Sequence, residues 1–105
     1  MALKNGAVCV GELTTVGRKT GQPRTVELRF VHLDGKFYAS SARVTGKHWC
    51  QNMLRNSSVE IKADGQRHHC KARQVTEEDL RRRILTLRDS PPLLERVVFE
   101  IAPER

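Results

Sequence analysis

The sequence has few of the features that mark membrane, secreted or base-stacking proteins. No apolar run among its 105 residues approaches the roughly 20 residues that a membrane-spanning helix needs, and residues 1–6 are too short and polar for a signal peptide. Three cysteines form an odd set without a framework spacing, which favours free thiols in a reducing compartment. Aromatic residues make up only 5%, which is poor material for stacking bases. We therefore expect a cytoplasmic protein without a membrane span.

The chain carries a clear excess of positive charge. Nineteen Lys and Arg against 12 Asp and Glu give a formal net charge of +7, which suggests nucleic acid, an acidic membrane surface or a small polyanionic ligand as partner. The most basic run, Arg81-Arg82-Arg83, follows Glu77-Glu78-Asp79 at helical ion-pair spacing. We interpret it as a self-neutralised helix face and do not expect nucleic acid as the partner.

Alternating apolar and polar residues predict a mainly β fold. Asp34-Gly35 and Asp64-Gly65 are strong signals for two-residue hairpins. We predict six strands and two short helices in an antiparallel barrel, forming one domain over residues 1–105. The predicted strands are Ala7–Val16, Thr25–Leu33, Lys36–Ala42, Ser58–Ala63, Gln66–Val75 and about Glu95–Ile101, and the helices run from Thr45 to Asn56 and from Thr76 to Ser90.

The same periodicity predicts which side chains share a face. In the first strand Val8, Val10, Thr14 and Val16 lie together, and in the last strand Val97, Phe99 and Ile101 point inward. The predicted stripes of the two helices are Trp49, Cys50, Met53 and Leu54, and Leu80, Ile84 and Leu87. Thr45 and Thr76 are the predicted helix caps.

The turn after the first strand is the strongest candidate for a ligand site. It contains two glycines, three cations and a hydroxyl, in the order Gly17-Arg18-Lys19-Thr20-Gly21-Gln22-Pro23-Arg24. Glycines allow close approach to the backbone, so such a loop can direct N–H groups and cations at one phosphate. A strand follows rather than a helix, which excludes a Walker A loop. An ordinary solvated hairpin turn is the alternative interpretation.

Other candidate sites have simpler explanations. His48 with Cys50, and His68-His69-Cys70, lack the paired spacing of structural zinc sites, so buried thiols are the favoured interpretation. Trp49 is either a core residue of its helix or one wall of a cleft. Ser40, Ser41 and Arg43, at the end of the third strand and just before that helix, are expected to line that same cleft.

The turn and several later segments resemble the deazaflavin-dependent nitroreductase family of the flavin-binding split barrels. The resemblance covers nearly the whole chain from Glu12 onward and includes Leu13 to Arg24, Tyr38-Ala39-Ser40-Ser41, Trp49 with Asn52 and Leu54, Asn56-Ser57-Ser58-Val59, and Arg96 to Pro103. It implies a six-stranded split barrel that binds coenzyme F420, or less often FMN, and transfers hydride to a quinone-like or nitro-aromatic small molecule.

The resemblance also implies roles for particular residues. Arg18, Lys19 and Arg24 would hold the phosphate or acidic tail of the cofactor, assisted by Thr20, Gly21 and the turn backbone. Ser40 and Ser41 would lie along the deazaflavin, with Trp49 and Asn52 on the flanking helix. No acid, base or nucleophile is obligatory, because the cofactor carries the chemistry. A homodimer is possible. An FMN-binding barrel, or a basic module without catalysis, remain the alternatives.

Overall fold

A computed structural model describes residues 5–17, 19–42 and 48–104. Within these ranges the chain forms six strands and two helices, and none of the helices is long and apolar enough to cross a membrane. The elements are β1 (Ala7–Val16), β2 (Pro23–Leu33), β3 (Lys36–Ser41), α1 (His48–Arg55), β4 (Ser58–Ala63), β5 (Gln66–Gln74), α2 (Glu78–Arg88) and β6 (Val97–Pro103). The predicted cap Thr45 lies outside the described residues.

The six strands close into one antiparallel barrel in the order β1-β2-β3-β6-β5-β4, which confirms the predicted fold class. In the longest pairing Ala7 of β1 faces His32 of β2, and Val16 faces Pro23. The barrel closes where Leu13 of β1 pairs with Ile61 of β4. The turn from Gly17 to Gln22 therefore sits at one end of the β1–β2 hairpin.

The main hydrophobic core lies inside the barrel. The face of β1 that points into this core is not the face that carries Val8 and Val10. Leu13 and Thr15 are fully buried, whereas Val8 and Val10 are 41% and 61% exposed. The residues predicted to share a face do so, but that face is the outer one. Alternation alone cannot tell inside from outside when both faces of a strand carry β-branched residues. In β2, β4 and β5 the buried inward-facing residues include Phe30, Ile61 and Cys70.

A second core lies between the barrel's outer surface and α2. Val98 of β6 and Val31 of β2 pack with Ile84 and Leu85. Leu85 is fully buried and Leu87 is 38% exposed, so the prediction of Leu87 in the buried stripe was wrong. A helix seated on a sheet buries positions one and four apart on its contact side. The predicted cap was also wrong: Glu77 occupies the N-cap position and makes no side-chain cap bond.

An ion-pair network connects β3, β5 and β6 on this side of the barrel. Glu100, only 7% exposed, accepts hydrogen bonds from Tyr38 Oη at 3.1 Å and from Arg73 Nε at 3.1 Å. Burial, and then the neighbouring charge of Glu100, raise the pKa of Tyr38 to about 12. Arg73 also binds Glu77, so Glu77 does not pair with Arg81 as the spacing predicted. Arg81 instead pairs with Glu78 at 2.6 Å.

Candidate functional site

The β1–β2 turn is closed by its own backbone. Gly17 N–H donates to Gln22 O at 2.8 Å, and Gly21 N–H donates to Gly17 O at 2.8 Å. Gln22 N–H donates to Thr20 Oγ1 at 3.2 Å. Because these three amides are satisfied within the turn, the side chains are better placed than these amides to bind an anion.

Glycine is needed at two positions of this turn for different reasons. A Cβ on Gly17 would lie 2.8 Å from Thr20 Oγ1 and 3.1 Å from Gln22 O, so the turn is too tight there for any side chain. Gly21 has a φ of +70° with open space around it, and this left-handed conformation is unfavourable for other residues. The turn is therefore a compact, defined structure.

A cavity of about 390 Å³ opens between this turn and helix α1. Its volume falls within the range of small-molecule sites. Lys19 and Arg24 border it, both are exposed, and neither has an ion-pair partner within the described ranges 5–17, 19–42 and 48–104. The lining residues are Thr15, Gly17, Lys19, Thr20, Arg24, Thr25, Val26, His48, Trp49 and Asn52.

The floor of this turn cavity is rigidly attached to the barrel. Asn52 Nδ2 of α1 donates to Thr15 Oγ1 of β1 at 3.1 Å, and both side chains are buried. Trp49 is 8% exposed and packs edge-on against Phe99, with ring centroids 6.1 Å apart. These contacts fix α1 against the barrel interior, so the indole is both a core residue and a cavity wall.

A smaller cavity of about 150 Å³ also borders Trp49. Ser40 and Ser41 line it together with Arg29, Arg88 and Arg96. Ser40 is bound to Arg96, whose Nε donates to Ser40 Oγ at 3.1 Å and whose Nη2 donates to Ser40 O at 3.2 Å. We call this space the arginine cavity.

The structure thus divides the predicted site residues between two neighbouring spaces. Lys19, Thr20, Arg24, Trp49 and Asn52 line the turn cavity, and Gly21 lies in the turn beside it. Ser40 and Ser41 do not line the turn cavity, contrary to the expectation of one cleft, and line the arginine cavity instead. Arg18 and Arg43 lie outside the described residues. The roles of all these residues in cofactor binding stay predictions.

Sequence reasoning missed several lining residues. Thr15 and Val26 are inward-facing strand residues next to the turn, and alternation from the buried Leu13 and Phe30 would have identified both. Thr25 and His48 also line the cavity. The position of His48 depends on how α1 docks, which no local pattern specifies.

The cysteines and histidines supply no second centre in the part of the chain that the structure describes. There, no group of three metal-binding side chains is found, and Cys9, Cys50 and Cys70 form no disulfide. Burial is the main cause that raises the pKa of Cys70 to about 11. It also raises the pKa of Cys9. Thiols of this kind are poor nucleophiles at neutral pH.

Comparison with known proteins identifies one family. The sequence profile of the F420H(2)-dependent quinone reductases matches residues 4–92. No curated protein matches significantly.

Solved structures share the fold. An F420-H2 dependent reductase (FDR-A) superposes with a TM-score of 0.70 at 24% identity, over 88% of this chain and 92% of that one. A protein described as a domain-swapped dimer gives 0.69 at 25% identity, over 88% and 78%. A FAD-binding protein from Mesorhizobium loti gives 0.69 at 22% identity, over 92% and 82%.

Proposed function

This chain belongs to the F420H(2)-dependent quinone reductase family, and on that basis we propose that it transfers hydride to a quinone-like or nitro-aromatic acceptor. Family membership makes it an oxidoreductase whose cofactor is coenzyme F420. The acceptor is our proposal. It is supported by membership of a quinone reductase family and by the resemblance of the turn to the nitroreductase signature.

We assign the acidic handle of the cofactor to the turn. The position of two cations supports this assignment. Lys19 and Arg24 border a cavity of about 390 Å³, are exposed, and have no ion-pair partner among the described residues. An unpaired guanidinium and ammonium can each form charge-assisted hydrogen bonds to phosphate or carboxylate oxygens. Arg18 is proposed to join them, as the resemblance implies.

The protein's own contribution is to bind, orient and exclude water. Trp49 and Val26 give the turn cavity apolar walls, on which a planar ring can pack. The bond between Asn52 and Thr15 holds α1 in place, so those walls are preformed. When bound, the reduced deazaflavin supplies the hydride. No side-chain acid, base or nucleophile is assigned.

FMN is the alternative cofactor. The fold is shared with a FAD-binding protein, so a flavin is compatible with this architecture. FMN and coenzyme F420 both carry a phosphate that the turn could bind. Direct comparison of the two affinities therefore decides between them.

The test is equilibrium titration of the protein with coenzyme F420 and with FMN, followed by cofactor fluorescence. We expect tighter binding of coenzyme F420, and a large loss of affinity when Lys19→Glu is introduced together with Arg18→Glu. Unchanged affinity in that variant would remove the turn assignment. Preferential binding of FMN would reverse the cofactor order.

The third hypothesis, a basic module without catalysis, has its own test. Binding to duplex or single-stranded nucleic acid would weaken steeply with added salt, since it depends on released counterions. We expect no such binding at physiological salt. Tight, steeply salt-dependent binding of DNA or RNA without cofactor binding would favour that module instead.

We also propose a homodimer and a cytoplasmic location. The exposed Val8 and Val10 give the outer face of β1 an apolar strip, and one structural neighbour is described as a domain-swapped dimer. Light scattering of the protein and of Val10→Asp tests the dimer, which the charge should dissociate. The three cysteines, none of which forms a disulfide, support the location, which fractionation of the producing cells would test. One domain over residues 1–105 stays a prediction.

A further inference from the structure

The arginine cavity brings three guanidinium groups around one small space. Arg29 comes from β2, Arg88 from the last turn of α2, and Arg96 from the segment before β6. These positions are far apart in sequence, so the cluster is created by the fold. Like charges brought together repel unless anions stand between them.

One carboxylate, Asp89, partly compensates this charge. Its Oδ1 lies 3.4 Å from Arg29 Nη2, and its Oδ2 binds Arg88 Nη1. One carboxylate therefore bridges two of the arginines, which shows that their spacing suits a planar oxyanion. The third arginine is Arg96. Within the described residues, the only side chain to which it donates a hydrogen bond is that of Ser40. Two positive charges remain uncompensated.

Two further observations indicate that the cavity is incomplete by itself. Arg88 Nε is buried and, of the buried side-chain nitrogens and oxygens that the structure describes, it alone lacks a hydrogen-bond partner. Buried donors in native proteins are nearly always satisfied by protein, water or ligand. Burial first, and then the positive charges of Arg88 and Arg29, lower the pKa of Arg96 against the opposing influence of Asp89. An additional anion in the cavity would offset the positive charges that lower this pKa.

Arg96 is already positioned to bind such an anion. Two of its donors are held by Ser40 at 3.1 and 3.2 Å, which fixes the guanidinium plane at the cavity wall. Trp49 is shared by this space and the turn cavity. A molecule in the arginine cavity would therefore adjoin, at Trp49, a cofactor held by the turn.

We propose that the arginine cavity binds the carboxylate of the hydride acceptor, so that the enzyme's substrates are small carboxylated aromatic or quinone-like molecules. This inference rests on the proposed function, which places the cofactor on the turn side of Trp49. A volume of about 150 Å³ accommodates a carboxylate with a small part of its ring. Arg88 and Arg96 supply the donors, and Arg29 adds charge.

The test measures ligand binding without turnover. Fluorine NMR follows para-fluorobenzoate binding to the unloaded protein, to Arg88→Met, and to the matched control Arg83→Met, which changes an exposed arginine of the same helix. We expect millimolar binding that weakens about tenfold in Arg88→Met, the loss of one charge-assisted hydrogen bond, and is unchanged in Arg83→Met. Arg88→Lys keeps the positive charge but not the planar, two-pronged set of guanidinium donors. It should therefore give an intermediate loss of para-fluorobenzoate affinity.

Three outcomes would overturn the proposal. Equal binding of para-fluorobenzoate and the neutral para-fluorobenzamide would show that no carboxylate is recognised. Stronger competition by inorganic phosphate than by acetate would assign the cavity to a phosphate. Displacement of para-fluorobenzoate by saturating coenzyme F420 would assign it to the acidic tail of the cofactor instead of the acceptor.

The same variants separate this inference from the proposed function. Arg88→Met should leave the affinity for coenzyme F420 unchanged, while Lys19→Glu should weaken the cofactor and leave para-fluorobenzoate binding intact. If the wild-type protein did not bind coenzyme F420 but still bound para-fluorobenzoate, the proposed function alone would be refuted. Absence of para-fluorobenzoate binding to a protein that still binds coenzyme F420 would refute this inference alone. Thermal unfolding confirms that each variant is folded.

Discussion

The turn cavity and the α2 side of the barrel use positive charge in opposite ways. On the α2 side, Arg73 contacts both Glu77 and Glu100, and Arg81 contacts Glu78. At the turn, Lys19 and Arg24 border open space and have no carboxylate partner among the described residues. Both regions carry cations, but only Arg73 and Arg81 on the α2 side are paired with carboxylates.

This difference indicates what each region contributes. Removing the charge that is paired with a buried carboxylate destabilises the fold, because the carboxylate is then left buried without its partner. An exposed, unpaired charge contributes little to stability but is available to a ligand. Substitutions at the turn should therefore change binding without unfolding the protein, and substitutions on the α2 side should do the reverse.

The largest expected effect is on binding at the turn. Lys19→Glu with Arg24→Glu should weaken coenzyme F420 binding by about 100-fold or more, because two charge-assisted contacts are replaced by repulsion. The free energy of unfolding should change little. Isothermal titration calorimetry measures the first quantity and denaturant unfolding the second.

The control for this variant has the same change in net charge away from the cavity. Lys62→Glu with Arg83→Glu alters two exposed cations that do not line the turn cavity. At about 150 mM NaCl the Debye length is about 8 Å, so binding should stay within about threefold of wild type. An equal loss in both double variants would mean that overall charge, and not the turn, attracts the cofactor.

The next effect is on stability at the α2 side. Arg73→Met should lower the free energy of unfolding by about 2–3 kcal/mol, because Glu100 is buried and loses its main partner. Cofactor affinity should be unchanged. Arg67→Met is the control. Arg67 lies on β5, as Arg73 does, and pairs with Glu60 of β4 but is well exposed, so about 0.5 kcal/mol or less is expected. Equal losses at both positions would contradict the comparison.

A smaller effect on both quantities is expected within the turn. Gly17→Ala would place a Cβ against Thr20 Oγ1 and Gln22 O, so the turn must open. We expect a loss of about 1–2 kcal/mol in stability and about tenfold in cofactor affinity. A Cβ added at Gly21 would contact no neighbouring atom, but the residue has a positive φ. Gly21→Ala should therefore cost about 1 kcal/mol and leave affinity almost unchanged. Identical binding by the two variants would show that turn shape does not matter.

The smallest effect is a pH dependence at Glu77. Its hydrogen bond to Arg73 lowers the pKa of Glu77 from 4.5 to about 2. A lowered pKa in the folded state means stabilisation above the unfolded pKa, lost as pH falls towards the folded one. The stability gap between wild type and Glu77→Gln should therefore shrink between pH about 5 and about 2. A gap that stays constant in denaturant unfolding across this range would contradict the pairing.

Local patterns predicted the strands and both hairpin turns well. Asp34-Gly35 and Asp64-Gly65 have positive φ at every residue, as expected for the tightest hairpin turns. Bounds differ by a few residues at most, such as Pro23 in place of Thr25 at the start of β2. These features depend on residues that are neighbours in the sequence, and for that reason they could be predicted from the sequence.

What the sequence could not reveal depends on contacts between distant segments. The outward orientation of Val8 and Val10 depends on which face of β1 the barrel encloses. The burial of Leu85 and Glu100 depends on where α2 docks. The division of the expected cleft at Trp49 arises because α1 and β3 meet there. Motif reasoning selected the turn residues, while the arginine cavity combines three segments that no local pattern joins.

The most direct test of the central claim is a ¹⁵N–¹H NMR titration of the protein with coenzyme F420. The account predicts shifts at the amides from Gly17 to Arg24 and at the Trp49 indole, with Arg73, Glu77 and Glu100 unmoved. Saturable shifts confined to the α2 side, with the turn and Trp49 unaffected, would contradict it.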